Sequence, residues 1–214
     1  NGPLFGLYSL DVLGEKVALS IAQDGSSNRV LYAVSNSLLM SGTATYTAGA
    51  GEDNGVWSHA AGVFGSATSR ISYLNGSASA TDTTNIVISD TLGTTQVCLD
   101  NELMPSYTNT DVAEAAIWNV ALDAAEIAAL AKGVSPLLVR SASLQVYWPM
   151  IGRDSPEQPL KGTATRQMTL YNTPANADHP RVYYPSKQRA YGVPYTAPAE
   201  SQAVRSLHQY RQRR

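Results

Sequence analysis

Apolar and polar residues alternate in short runs over the first 150 or so residues, and clusters of Gly, Asn, Asp and Ser separate the runs. Over residues 15–21, Val17, Leu19 and Ile21 share one face and Lys16, Ala18 and Ser20 the other. The break Asp24-Gly25-Ser26-Ser27-Asn28 follows, after which Val30, Tyr32 and Val34 resume the period of two. Residues 56–64 carry a stripe of Trp57, His59, Ala61 and Val63. Residues 69–74 bring Ile71 and Tyr73 together and end at Asn75-Gly76, a strong hairpin signal because both residues tolerate positive φ. Residues 86–88, 95–99, 111–118 and 144–148 are further strand candidates. Many short strands joined by turns predict an all-β fold, a two-sheet antiparallel sandwich rather than a parallel α/β sheet.

One helix interrupts this pattern. Asp123 is placed to cap it, and Glu126 completes an acidic capping box three residues on. Leu122 and Ile127 hold the staple positions, Lys132 falls in the last turn, and Gly133 is placed to end the helix in a left-handed conformation. So short a helix is marginal alone, and docking Ile127 and Leu130 on the sheet must hold it.

Composition divides the chain near residue 151. Residues 152–214 hold 7 of the 11 prolines, 6 of the 12 tyrosines and 10 basic against 4 acidic side chains. Residues 1–151 hold 5 basic against 13 acidic. The expected organisation is one domain, 1–151, followed by an extended Pro/Tyr/Arg-rich arm, 152–214, that makes assembly contacts. Attraction between acidic body and cationic arm favours association of copies, or of body and arm within one copy. Cys98 is the single cysteine, which excludes an intramolecular disulfide and a Cys-rich zinc site. No run of about 18 apolar residues occurs, so no membrane-spanning helix is expected. The start Asn1-Gly2-Pro3-Leu4 lacks a basic region and an apolar stretch, so no signal peptide is expected. The missing first methionine is read as processing, trimming or an incomplete N-terminus.

Three motifs in order carry a family resemblance. The stretch from Val112-Ala113-Glu114 through Ile117-Trp118 to Leu122-Asp123-Ala124-Ala125-Glu126-Ile127 resembles the C-terminal signature of laminin-G-like domains, of the concanavalin A-like lectin/glucanase superfamily. Trp57-Ser58-His59-Ala60-Ala61 resembles the family's W-x-H-x-A strand, and Tyr73-Leu74-Asn75-Gly76 its Y-x-N-G hairpin. The resemblance implies a jelly roll of two curved antiparallel sheets over about residues 4–151, but no single activity. Trp148-Pro149-Met150 and the later Asp178-His179-Pro180-Arg181-Val182-Tyr183-Tyr184-Pro185 resemble segments of tailed-bacteriophage virion proteins.

Candidate chemistry is mostly excluded on spacing. A sandwich glycosidase would need a Glu-x-Asp-x-Glu run, and Asp100-Asn101-Glu102 supplies only two acids before Pro105. His59, His179 and His208 lie far apart without a metal-binding pattern, and His59 reads as a core or groove histidine. The loop Gly49–Gly55 lacks the Gly-Lys-Ser/Thr of a phosphate loop. No cofactor is expected. Calcium, bound by many relatives, would have Asp53, Asn54, Asp100 and Asn101 as oxygen ligands, though nothing fixes them as neighbours. Tyr46, Tyr107 and Asn109, expected in loops, are available for sugar binding.

These readings combine into an expected non-enzymatic structural protein of a bacteriophage virion, assembled in the host cytoplasm. Capsid decoration is the leading form, with the jelly roll displayed outward and the arm fastening it to other virion proteins or copies of itself. Arg181, Tyr183, Tyr184, Arg189, Tyr191 and Tyr195 are the expected partner-binding residues, since Tyr and Arg dominate such interfaces. The alternative is a carbohydrate-binding adhesin, a tail or fibre component that recognises host glycans. Nucleic acid is disfavoured because the acidic body repels a polyanion.

Overall fold

The computed structural model describes residues 2–9, 15–23, 29–37, 40–47, 57–88, 92–100, 106–107, 110–151, 155–170 and 178–183. The strands are β1 (Gly2–Ser9), β2 (Lys16–Gln23), β3 (Arg29–Ser37), β4 (Met40–Thr47), β5 (Ala60–Ser66) and β6 (Ser69–Leu74). They continue as β7 (Ser77–Ala78), β8 (Leu92–Val97), β9 (Leu99–Asp100), β10 (Ser106–Tyr107), β11 (Ala115–Trp118) and β12 (Leu144–Trp148). A helix, α1 (Ala124–Ala131), separates the last two. One sheet has the order β4-β3-β2-β1-β8 and is antiparallel throughout. Above it lie β5-β6-β7 and the pair β11-β12, also antiparallel, while β9 and β10 form a short pair. Among the described residues the fold is thus mostly β with one α-helix, a jelly-roll type of sandwich.

Register decides which stripes turn inward. Leu19 stands opposite Phe5 on one side and Ala33 on the other, Val17 opposite Leu7 and Ser35, and Ile21 opposite Leu31. Directly paired residues share a face, so the inner stripe of β3 is Leu31, Ala33 and Ser35, all buried. Tyr32 and Val34 fall on the opposite face, with Ala18 and Ser20 as partners. Leu31 packs with Leu74 of β6, and Leu4, Leu19 and Ala60 surround them. On the far face of the large sheet the Tyr8 ring lies against Gly6, where any Cβ would come within 2.6 Å of the ring.

A second core joins the upper layer to the helix. Tyr73, Leu122, Ile127 and Val139 are buried together, with Val63, Ile71 and Trp118 packed against them. The capping box forms as expected: Asp123 Oδ1 accepts from Glu126 N at 2.9 Å, and Glu126 Oε2 accepts from Asp123 N at 2.8 Å. Lys132 is the C-cap, and Gly133 follows in the left-handed region at φ 85°.

Five expectations differ from the structure. Residues 95–99 are split, because Cys98 sits at φ 54° between β8 and β9. Residues 86–88 are not a strand; Ile86 is buried and its amide donates to Ala67 O, while Arg70 pins the preceding residues. The strand of residues 111–118 begins only at Ala115, because Glu114 sits at φ 60° and breaks the extended run. The strand of residues 56–64 likewise begins only at Ala60, and Trp57 to His59 precede it as irregular chain. Tyr46 and Tyr107 lie in β4 and β10 rather than in loops.

Residues just past 151 continue the fold. Tyr147 N donates to Lys161 O at 3.0 Å and Leu160 N to Tyr147 O at 2.8 Å, while Trp148 Nε1 donates to Arg166 O at 2.6 Å. Glu157 and Met168 exchange backbone bonds at 2.8 and 2.9 Å. The Trp148 ring meets Phe5 of the large sheet at 6.4 Å, tying the two layers together at this end.

Candidate interaction site: a slot between two strands and the strap across it

Every residue of 57–65 and of 110–122 borders one open slot of about 1390 Å³. Successive strand residues point to opposite faces, so an unbroken lining means that strand edges, not strand faces, form its walls. The walls are β5 and β11, each paired on one side only, with β6 and β12 respectively, among the described strands. Phe5, Leu7, Val17, Leu19 and Leu31 of the large sheet form the floor, and Ile127 and Leu130 of α1 border it as well. The volume exceeds the roughly 300–1,000 Å³ typical of small-molecule sites, which suits a polymer segment better than a small ligand.

Residues 178–183 cross this slot. Trp57, just before β5, donates through Nε1 to Asp178 O at 2.7 Å. His179 Nε2 stands 2.9 Å from Pro149 O and 3.0 Å from Glu114 Oε1, two acceptors, so that nitrogen carries a proton. The other Glu114 oxygen accepts from the Tyr147 hydroxyl. Tyr147 is fully buried, and its hydroxyl needs such a partner. The carboxylate therefore clamps strap to strand, and both its oxygens are engaged. Beyond it, Arg181 O lies 2.7 Å from where a Cβ on Gly133 would sit, so only glycine permits this approach. Tyr183 N donates to Gly133 O at 2.7 Å, and Ser135 N donates to Tyr183 O at 3.0 Å. The Tyr183 ring remains 57% exposed, and Arg181 is exposed too.

Two further groups near the walls have perturbed protonation. Burial pulls His59 down to about 4, so the imidazole is neutral near pH 7, and its Nδ1 has no hydrogen-bond partner among the described residues. Its position beside the slot fits a core or groove histidine, but the hydrogen bond expected of it is not made at Nδ1 among the described residues. Burial pushes the Cys98 thiol up to about 11, with the Asp111 carboxylate adding to the effect, so it is a poor nucleophile near pH 7.

Of the six expected partner-binding residues, Arg181 and Tyr183 are placed together on the strap, while Tyr184, Arg189, Tyr191 and Tyr195 lie outside the described residues. Asp53, Asn54, Asn101, Glu102 and Asn109 also lie outside them. Among the described residues no group of three or more His, Cys, Asp or Glu side chains is arranged to hold a metal ion, and no helix is long and apolar enough to cross a membrane. The clamp residues Tyr147 and His179 were not singled out by spacing. A buried Tyr inside the run Leu144–Trp148 was the available signal, but its acceptor lies 33 residues away.

A laminin-G-type family model, described as Concanavalin A-like lectin/glucanases superfamily, matches residues 12–128. No curated protein matches. Among solved structures, an S-layer domain-containing protein (residues 221–444) from Clostridium thermocellum ATCC 27405 is similar at 20% identity, with a TM-score of 0.32. The alignment covers 60% of this chain and 62% of that one, less than two thirds of its length.

Proposed function

This chain belongs to the concanavalin A-like lectin/glucanase superfamily, and on that premise we propose that it is a non-catalytic structural protein of a bacteriophage particle. In this reading the jelly roll is displayed on the particle surface as a capsid decoration, and the C-terminal arm fastens it to neighbouring virion proteins or copies of itself. The observation that carries the reading is the strap. Its backbone is fixed to Gly133 and Ser135, yet the Arg181 and Tyr183 side chains stay exposed, and 31 residues follow with 6 basic side chains against 1 acidic. An arm rooted in this way starts from a fixed point, which lowers the ordering cost of attaching the rest. Many copies on a symmetric shell then add avidity. The test is a variant lacking residues 184–214. It is expected to fold, with unchanged far-ultraviolet circular dichroism, and to fail to associate with particles during assembly. Normal incorporation of that variant would overturn the proposal.

A second reading, recognition of host surface glycans, draws on Trp57, which is 38% exposed at the mouth of the slot. An exposed aromatic of this kind offers a stacking platform for a sugar ring. Saturable glycan binding that Trp57→Ala abolishes would favour it.

A further inference from the structure

We infer that the slot between β5 and β11 is the socket for the C-terminal arm of a second copy of this chain, which enters as an added strand. The inference rests on the assembly reading above and names both the partner and the place where the arm lands. A strand edge presents a row of backbone donors and acceptors, and burying such a row without partners is costly. Here two edges face each other across an apolar floor, so one inserted segment meets backbone groups on both sides and covers the floor with its side chains. Strand addition of this kind draws affinity from main-chain hydrogen bonds and specificity from alternate side chains.

Sequence beyond Tyr183 supplies a segment of the right length. Pro185 and Pro194 bracket the eight residues Ser186-Lys187-Gln188-Arg189-Ala190-Tyr191-Gly192-Val193, each of which retains an amide proton. Eight residues match the 7 of β5. Alternation puts Tyr191 and Val193 on one side with Lys187 and Arg189, and the small Ala190 and Gly192 on the other. The charges are complementary. The arm beyond Tyr183 carries 6 basic side chains against 1 acidic, whereas residues 1–151 carry 13 acidic against 5 basic, and Asp111 stands exposed at the wall.

The path of the chain favours a second copy over the molecule's own arm. Pro180, Arg181 and Val182 already border the slot, and the parallel bridge of Tyr183 to Val134 carries the chain onward past α1. Its own continuation would have to reverse and pass back over the strap. The segment begins three residues and ends ten residues beyond Tyr183, a reach of about 10–35 Å when extended, which sets the second copy's slot close beside the strap of the first.

The test uses the full chain with Cys98→Ser. Copies carrying Tyr191→Cys under one tag and copies carrying Ala116→Cys under another are co-expressed and oxidised. A disulfide linking the two tags is expected, and it should be absent when Val87→Cys, 61% exposed, replaces Ala116→Cys. Failure to form the bond between tags overturns the inference, as does a bond that, in a chain carrying both Tyr191→Cys and Ala116→Cys, closes only within that chain. Should the cysteine variants misfold, amide exchange of the unaltered chain decides. Protection at β5 and β11 that falls on dilution, in step with dissociation, supports the inference; protection that persists through dissociation overturns it. If the variant lacking 184–214 loses particle association while no bond between copies forms, the assembly reading stands and this inference alone falls.

Discussion

At the scale of single residues, a buried group with several partners was hard to foresee. Arg70 is 1% exposed, paired with Asp82, and donates through Nη2 to Ala67 O at 2.7 Å and Thr84 O at 2.8 Å. In the sequence it is a polar residue at an alternating position of a strand. Its partners lie up to 14 residues onward in a segment that reads as loop. Arg70→Ala strips partners from a buried cluster, so urea denaturation is expected to show a loss of about 3–5 kcal/mol. Asp82 sets an acid limit. Burial pushes its carboxyl up, but hydrogen bonds from the Thr84 backbone, Arg70 and the Thr84 side chain outweigh this, and it falls from 3.8 to about 2. Because the folded value is depressed, the stabilisation is complete above about pH 4 and is lost as pH falls towards 2. Asp82→Asn is expected to abolish that part of the acid profile. His59 acts in a higher window. Its unfolded form takes up a proton near 6.5 and its folded form only near 4, so stability falls between those values as pH drops, by about 3 kcal/mol. His59→Phe should flatten the urea midpoint across that window; a midpoint that still falls in the variant would assign the effect elsewhere.

At the scale of elements, local chemistry was largely legible. The Asp123–Glu126 box, the Asn75-Gly76 turn and the left-handed Gly133 occur where the sequence puts them, because each depends on residues within a few positions of one another. Legibility ended where a long-range partner intervenes. The alternation of 111–118 runs through Glu114, yet the clamp to Tyr147 and His179 holds that residue out of the strand conformation. Likewise the stripes of β3 are equally apolar, and only the pairing with β2 decides between them. Gly133 joins α1 to the strap, and this junction is testable. Gly133→Ala places a methyl group against Arg181 O and penalises the positive φ, at a combined cost of about 1–3 kcal/mol. The amides of Ser135 and Tyr183 should then exchange at least tenfold faster, while those of β1–β3 keep their rates. Equal acceleration everywhere would mean global destabilisation instead of a released strap.

At the scale of the whole molecule, composition marked a change near residue 151 but not how the two parts meet. Prolines, tyrosines and positive charge report what kind of segment follows; they are silent on residues 155–170 pairing with β12 and on 178–183 strapping the slot. Truncation separates the two boundaries. Removing 184–214 should leave the fold intact, whereas removing 152–214 uncovers Trp148 and Tyr147 and strips Glu114 of its histidine. The longer truncation is therefore expected to bind hydrophobic dyes and to unfold at a lower temperature; equal melting of the two would show that 155–183 adds nothing. The strap also orders events in time. A polypeptide emerges from the ribosome amino end first, so Glu114, Gly133 and Ser135, to which the ribbon fastens, are made before it. The moorings can thus be in place beforehand, and the ribbon settles onto a shell already shaped to receive it.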